Sequence, residues 1–210
     1  MLGYNEIFEN NQQWLDEKKR TNEEFFEQLS KGQEPGYLYI GCSDSRVTAE
    51  DMMGANPGDI FVHRNVANLV PNNDASSASV IEYAVEHLRV KHVVICGHYF
   101  CGGVKAAMGS QDLGVLNPWL QNIRDVYRYH KAELDAISDE EDRYKRLVEL
   151  NVQEQCLNLY KTAVMQKAKV ENRMPEIHGW VFDISTGKLI DLKIDVNGVI
   201  DSMDGIFNLH

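Results

Sequence analysis

Apolar positions recur along the chain with two periods, one near 3.6 residues and one near 2, and their alternation sketches the elements. Between residues 5 and 30, Ile7, Trp14, Leu15, Phe25, Phe26 and Leu29 stand among acids and amides, the pattern of one or two amphipathic helices whose stripe must dock on something. Gln33-Glu34-Pro35-Gly36 breaks this N-terminal helical arm. Tyr37-Leu38-Tyr39-Ile40 is then a short β-prone run ending at Gly41, followed by a loop carrying Cys42-Ser43-Asp44-Ser45-Arg46. After the turn Asn56-Pro57-Gly58-Asp59, Ile60-Phe61-Val62 predicts a second strand. Asp74 to Leu88 opens on a capping residue and repeats Val80, Tyr83, Ala84 and His87-Leu88 at helical spacing. Val90 to Cys96 reads as a buried strand closed by Gly97, with a helix starting near Gly103. Asn117 to His130 and Asp139 to Lys169 predict long helices. Glu176 to Ile184 and Leu189 to Val196 predict two strands joined by a turn at Ser185-Thr186-Gly187-Lys188.

Strand, helix, strand in this order predicts an α/β fold, a central mostly parallel sheet flanked by helices. With no repeat, low-complexity tract or linker, the 210 residues predict a single domain, 1–34 forming the arm and 35–210 the core. Composition changes the picture in one respect. Against 21 Lys and Arg stand 32 Asp and Glu, a net charge of −11, which repels nucleic-acid backbones and anionic lipid and argues against both as partners. No run of 18 apolar residues offers a membrane span, and the acids near the N-terminus do not suit a signal peptide, so a cytoplasmic protein is expected. In a reducing compartment, four cysteines read as metal ligands, nucleophiles or small core residues, not as disulfides.

The candidate chemistry lies at two strand ends. Cys42 follows the first strand, and His98 and Cys101 follow the strand closing at Cys96; ligands at the carboxyl ends of parallel strands share one crevice. Two cysteines and one histidine make a catalytic zinc set with the fourth position left open. Spacing alone leaves open that Cys42 and Cys101 are small buried hydrophobes. The context favours ligands: Cys42 shares a polar loop with Asp44 and Arg46, and His98 is flanked by Gly97, Gly102 and Gly103. Cys96 and Cys156 lie in apolar patterns and read as inert. A dinucleotide-binding glycine motif is absent, and Cys96 and Cys101 are too far apart for a dithiol redox motif. His63, His87, His92, His130 and His178 are proton-shuttle candidates among which the sequence does not choose.

Three blocks then agree in order and spacing: Cys42-Ser43-Asp44-Ser45-Arg46, His63-Arg64-Asn65-Val66-Ala67-Asn68, and Cys96-Gly97-His98-Tyr99-Phe100-Cys101-Gly102-Gly103. Together they closely resemble the signature blocks of β-class carbonic anhydrases, nearest to the bacterial branch. The resemblance runs from about Tyr37 to Val196 and includes Glu149-Leu150-Asn151-Val152 and Ile177-His178-Gly179-Trp180. It implies a Zn²⁺ enzyme interconverting CO2 and bicarbonate, with Cys42, His98 and Cys101 as ligands. Two thiolates weaken the Lewis acidity of the ion, so neighbouring groups must help. Asp44 can accept a hydrogen bond from the attacking water while Arg46 keeps Asp44 ionised. Released by Arg46, Asp44 can instead become a fourth ligand in a closed form.

Gly102, Gly103 and Tyr83 are weaker candidates for substrate binding, since a glycine pair is as readily a turn and a helical aromatic as readily core. The resemblance also implies an arm laid across a partner subunit, hence a homodimer or homotetramer. In bicarbonate-regulated bacterial members a Trp, a Gly, an Arg and a Tyr form an anion pocket. Gly41 and Arg64 match it, but Tyr39 and Phe182 replace the Trp and the Tyr, so a weakened or absent site is expected. Two alternatives stay open: hydrolysis of a CO2 analogue such as carbon disulfide on the same site, and a non-catalytic, zinc-stabilised binding module.

Overall fold

A computed structural model describes residues 2–201; the last nine residues of the expected domain lie outside the described residues. Contacts divide the chain between Glu34 and Pro35. In the first unit, α1 (Tyr4–Thr21) has Glu6 in its first turn and Lys18, Lys19 and Arg20 in its last, charges that complement the helix dipole. The helix α2 (Phe25–Ser30) follows. Trp14 meets the edges of Phe26 and Phe25 at centroid distances of 5.2 and 6.5 Å. No residue of α1 is buried, and Ile7, Phe8 and Trp14 are exposed.

The second unit is built on five strands: β1 (Tyr37–Cys42), β2 (Ile60–Asn65), β3 (His92–His98), β4 (Glu176–Asp183) and β5 (Lys188–Asp191). Their order is β2-β1-β3-β4-β5, parallel except for the β4–β5 hairpin. This is the expected α/β architecture. The chain leaves β1 toward β2 on one side and leaves β3 toward β4 on the other. The crevice beyond the carboxyl ends of β1 and β3 is therefore the switch point at which such sheets place ligands, and Cys42 and His98 are the last residues of those two strands.

Helices α3 (Ala49–Met53), α4 (Ala75–Glu82), α5 (Gly102–Met108), α6 (Leu116–Tyr129), α7 (Lys131–Ala136), α8 (Glu140–Tyr160), α9 (Ala163–Val170) and α10 (Val196–Asp201) complete the unit. Asp74 caps α4 by accepting from the Ser76 and Ser77 N–H groups, and Asp139 caps α8 through Asp142 N–H. Beyond α4 the chain widens into a π turn, Tyr83–Leu88.

The α8 helix lies across the main core, with Leu147, Val148, Leu150, Val152, Cys156 and Leu159 buried. It approaches the sheet closely because two strand positions lack side chains. A Cβ on Gly97 would sit 2.7 Å from Val152 Cγ2, and one on Gly179 would sit 3.1 Å from Val152 Cγ1. Cys156 and Cys96 are both buried, and burial pushes the Cys96 thiol up to about 12.

Two elements differ from expectation. The helix predicted from Asp139 to Lys169 breaks after Tyr160, where Thr162 Oγ1 donates to the Leu159 carbonyl at 2.8 Å and Thr162 turns extended to begin α9. The strand predicted to reach Val196 stops at Asp191. The Asp191 carboxylate accepts from Lys193 N–H at 2.9 Å, Lys193 adopts φ +50°, and Asp195 accepts from Gly198 N–H at 2.9 Å to start α10 at Val196.

Candidate metal centre

Cys42, His98 and Cys101 converge. Their ligand atoms all lie within 4.8 Å of one another and all three residues are buried. Cys42 Sγ and Cys101 Sγ are 3.9 Å apart, close to the roughly 3.8 Å that two sulfurs subtend on a tetrahedral zinc with bonds of about 2.3 Å. His98 Nδ1 stands 2.9 Å from the Tyr99 carbonyl oxygen. A carbonyl only accepts, so Nδ1 carries the hydrogen and Nε2 keeps its lone pair. That Nε2 is buried without a hydrogen-bond partner, a costly arrangement for a polar atom unless it binds something else. Spacing, tautomer and donor set all fit a zinc ion held by three protein ligands.

The electrostatics agree. The Cys42 thiol is lowered, chiefly by the hydrogen bond from Cys101 and with help from the Ala67 N–H, against burial. Cys101 moves the opposite way, pushed up first by its hydrogen bond to Cys42 and then by burial. The two sulfurs titrate as a coupled pair, and a bound cation would favour both as thiolates.

Backbone groups set the thiols in place. Ala67 N–H donates to Cys42 Sγ at 3.4 Å. Ala67 and Asn68 sit in the left-handed region, at φ +66° and +51°. The turn is held by Asn65, which accepts from Leu69 N–H at 2.7 Å and donates to the Leu69 carbonyl at 2.8 Å, and by Asn151, which donates to the Ala67 carbonyl at 3.0 Å. Tyr144 Oη donates to the Cys101 carbonyl at 2.7 Å. Sequence reasoning missed these supports: backbone donors carry no residue signature, and Asn151 and Tyr144 act from α8.

Asp44 and Arg46 pair as expected. Arg46 Nε donates to Asp44 Oδ1 at 2.9 Å and Nη2 to Oδ2 at 2.7 Å, while Nη2 also reaches the Phe100 carbonyl at 3.3 Å. This fork holds the Asp44 carboxyl well below the usual range. Asp44 Oδ2 is 3.7 Å from His98 Nε2.

The remaining candidates separate. A Cβ on Gly102 would meet nothing within 4 Å, whereas one on Gly103 would sit 2.8 Å from Val66 Cγ1, so Gly103 allows close packing and Gly102 borders open space. Tyr83 lies on the π turn, 46% exposed, its ring against Phe61 and His87; no described contact joins it to the three ligands.

The Tyr39 ring covers Gly41, where a Cβ would fall 2.3 Å from Tyr39 Cε1. Tyr39 is buried, its hydroxyl has no hydrogen-bond partner, and burial pushes its ionisation up. Arg64 donates to the carbonyls of Cys42 (2.9 Å), Asp44 (2.6 Å) and Val47 (2.7 Å), so it clamps the ligand loop. Phe182 packs half-buried in the small cluster around Tyr39, and its carbonyl accepts from Tyr99 N–H.

Comparison with known proteins places this arrangement. The sequence profile of the carbonic anhydrase family matches residues 37–189. A carbonic anhydrase of Emericella nidulans is 57% identical, with 98% of this chain and 90% of that protein covered. One of Pseudomonas aeruginosa is 34% identical over 87% and 79%. Fungal and bacterial members thus both stand among the relatives. The crystal structure of the β-carbonic anhydrase CafA of Aspergillus fumigatus superposes with a TM-score of 0.89 at 39% identity, covering 99% of each chain. A tetrameric β-carbonic anhydrase of Sordaria macrospora gives 0.86 at 42%, covering 90% of this chain and 96% of the other. Fold and site define a β-class carbonic anhydrase, and the chain belongs to the carbonic anhydrase family.

Proposed function

We propose that the chain catalyses the zinc-dependent, reversible hydration of CO2 to bicarbonate and a proton, with Cys42, His98 and Cys101 holding the ion. The observation that carries this reading is the buried, unpartnered His98 Nε2 within 4.8 Å of the buried sulfurs of Cys42 and Cys101. When bound, zinc supplies a Lewis acid that makes water a nucleophile near neutral pH. Asp44 accepts a hydrogen bond from that water and aims its lone pair at the carbon of CO2. Arg46 keeps Asp44 ionised and turned toward the guanidinium. If the fork opens, Asp44 has only a short way to swing to become the fourth ligand, since it already stands 3.7 Å from His98 Nε2. Gly102 leaves room for substrate at the mouth of the site, and Tyr83 is the weaker substrate contact.

The arrangement around Tyr39, Gly41, Arg64 and Phe182 supports an anion site that is weakened or lost, because a ring fills the space and three Arg64 donors, on Nε and Nη2, are engaged on carbonyls. We read residues 1–34 as the arm and 35–210 as the core of one β-carbonic anhydrase domain. The exposed apolar side chains of α1 support a homodimer or homotetramer. Among the described residues no helix is long and apolar enough to cross a membrane, and two thiols that must remain reduced to serve as ligands fit a cytoplasmic setting.

The test is a CO2 hydration progress curve on the isolated enzyme, after chelation, and after zinc is restored. Activity lost and regained with zinc is expected. Hydration undiminished in metal-free protein refutes the proposal, and turnover of carbon disulfide without CO2 hydration redirects it to that substrate.

A further inference from the structure

At the opposite end of the same strands lies a second convergence of ligand types. His92 opens β3 and Glu176 opens β4. In the β3–β4 register His92 pairs with Glu176 and Val94 with His178. Alternation along a strand then puts His92, Glu176 and His178 on one sheet face. Six residues separate His92 from His98, about 20 Å along the strand, so the cluster is no part of the Cys42 centre.

The donor atoms are spaced for a metal. His92 Nδ1 and His178 Nε2 are 3.1 Å apart. Glu176 Oε2 lies 3.6 Å from His92 Nδ1 and 3.8 Å from His178 Nε2. Nitrogen and oxygen ligands at about 2.0–2.2 Å from a tetrahedral zinc subtend roughly 3.3–3.5 Å, inside the range these three distances span. Two imidazoles and a carboxylate suit first-row divalent ions, leaving further positions to water. The site is also partly built in advance. Tyr37 stacks on His92 with centroids 4.7 Å apart and planes 22° from parallel, and Trp180 flanks His178 at 6.0 Å. The two imidazole side chains keep 30% and 28% exposure and Glu176 keeps 74%, which gives an ion an entry path.

We propose that His92, Glu176 and His178 form a second metal site, for a divalent first-row transition ion, at the amino-terminal ends of β3 and β4. Binding there ties two central strands together at the end away from the catalytic crevice. Its effect is on stability and not on the hydration step.

The probe is Zn²⁺ added to enzyme from which loosely held metal has been stripped by a mild chelator. Calorimetric titration should show a binding event of one equivalent per chain, with a rise in the unfolding temperature. Crystals soaked in Zn²⁺ should show an anomalous peak between the two imidazoles, resolved from any peak at Cys42. His92→Ala and His178→Ala should each lose the added equivalent and the thermal shift, keeping CO2 hydration without added metal. Glu176→Gln, which removes one charge and no bulk, should weaken the event without changing the fold.

Absence of a peak between the imidazoles in the soaked wild-type crystal overturns the proposal and leaves a plain hydrogen bond between two rings. So does a titration event that survives both His variants. Because the peaks are read separately, a missing Cys42 peak counts against the zinc enzyme and not against this site.

Discussion

The close approach of α8 to the sheet makes Gly97→Ala the most informative substitution in the core. The new methyl would sit 2.7 Å from Val152 Cγ2, with Val148 Cγ1 at 3.4 Å and Asn68 Oδ1 at 3.6 Å, roughly 0.7 Å inside ordinary contact with the first. The obstacle is a β-branched side chain with little freedom to turn aside. Either α8 lifts or β3 moves. Overpacking of this kind costs about 1–3 kcal/mol, which for a chain of this length lowers Tm by roughly 2–4 °C per kcal/mol.

If β3 moves, it carries His98 with it, and a site loosened beyond about 0.5 Å loses function. Metal affinity and hydration should therefore fall with stability. Val152→Ala alone should cost about 2–3 kcal/mol for two lost methyls and the cavity. The double variant should be about as stable as Val152→Ala alone, a coupling of about 1–3 kcal/mol, and should recover metal binding. Thermal unfolding of the four proteins, with metal content and stopped-flow hydration on each, measures this cycle. Strict additivity, or a Gly97→Ala protein with wild-type Tm, refutes the packing argument.

Three further outcomes follow from the site. Asp44→Asn keeps the size and removes the charge proposed to orient the nucleophile, so hydration should fall about 10–100-fold while the metal stays bound; an unchanged pH–rate profile would contradict this. Because Arg46 holds the Asp44 pKa down in the folded state, that pair stabilises above the unfolded carboxyl pKa near 4, and its contribution is lost as pH falls below it toward the folded value. Acid unfolding curves should accordingly show wild type losing more stability than Asp44→Asn below about pH 4, and parallel curves would contradict it. With Tyr39 seated over Gly41 and Arg64 Nε and Nη2 engaged on carbonyls, activity should climb with pH yet respond to bicarbonate only as product inhibition, and a cooperative loss of rate on adding bicarbonate would overturn that reading.

Much of this was legible from residue order because the chemistry sits where strands end. The runs ending at Cys42 and near His98 are apolar and flanked by glycines, and parallel topology brings such ends together. What stayed hidden depends on contacts between distant segments. The Ala67 N–H reaches Cys42 Sγ only because Asn65 and Asn151 hold a left-handed turn. Arg64 read as an anion contact, and only the fold shows its Nε and Nη2 donating to three loop carbonyls. Thr162 and Asp191 each redirected an element through a local side-chain hydrogen bond that hydrophobic periodicity does not register. His92 and His178 stood among several undistinguished histidines until the β3–β4 register set them face to face.

X-ray absorption on the active, chelator-washed enzyme reads whether Cys42, His98 and Cys101 hold the ion proposed to drive hydration. One zinc per chain is expected, with two sulfurs at about 2.3 Å and nitrogen or oxygen ligands at about 2.0–2.2 Å, and loss of that sulfur shell together with hydration in Cys42→Ala. An active enzyme whose zinc shows no sulfur ligands, or a Cys42→Ala protein that keeps full hydration, would contradict it.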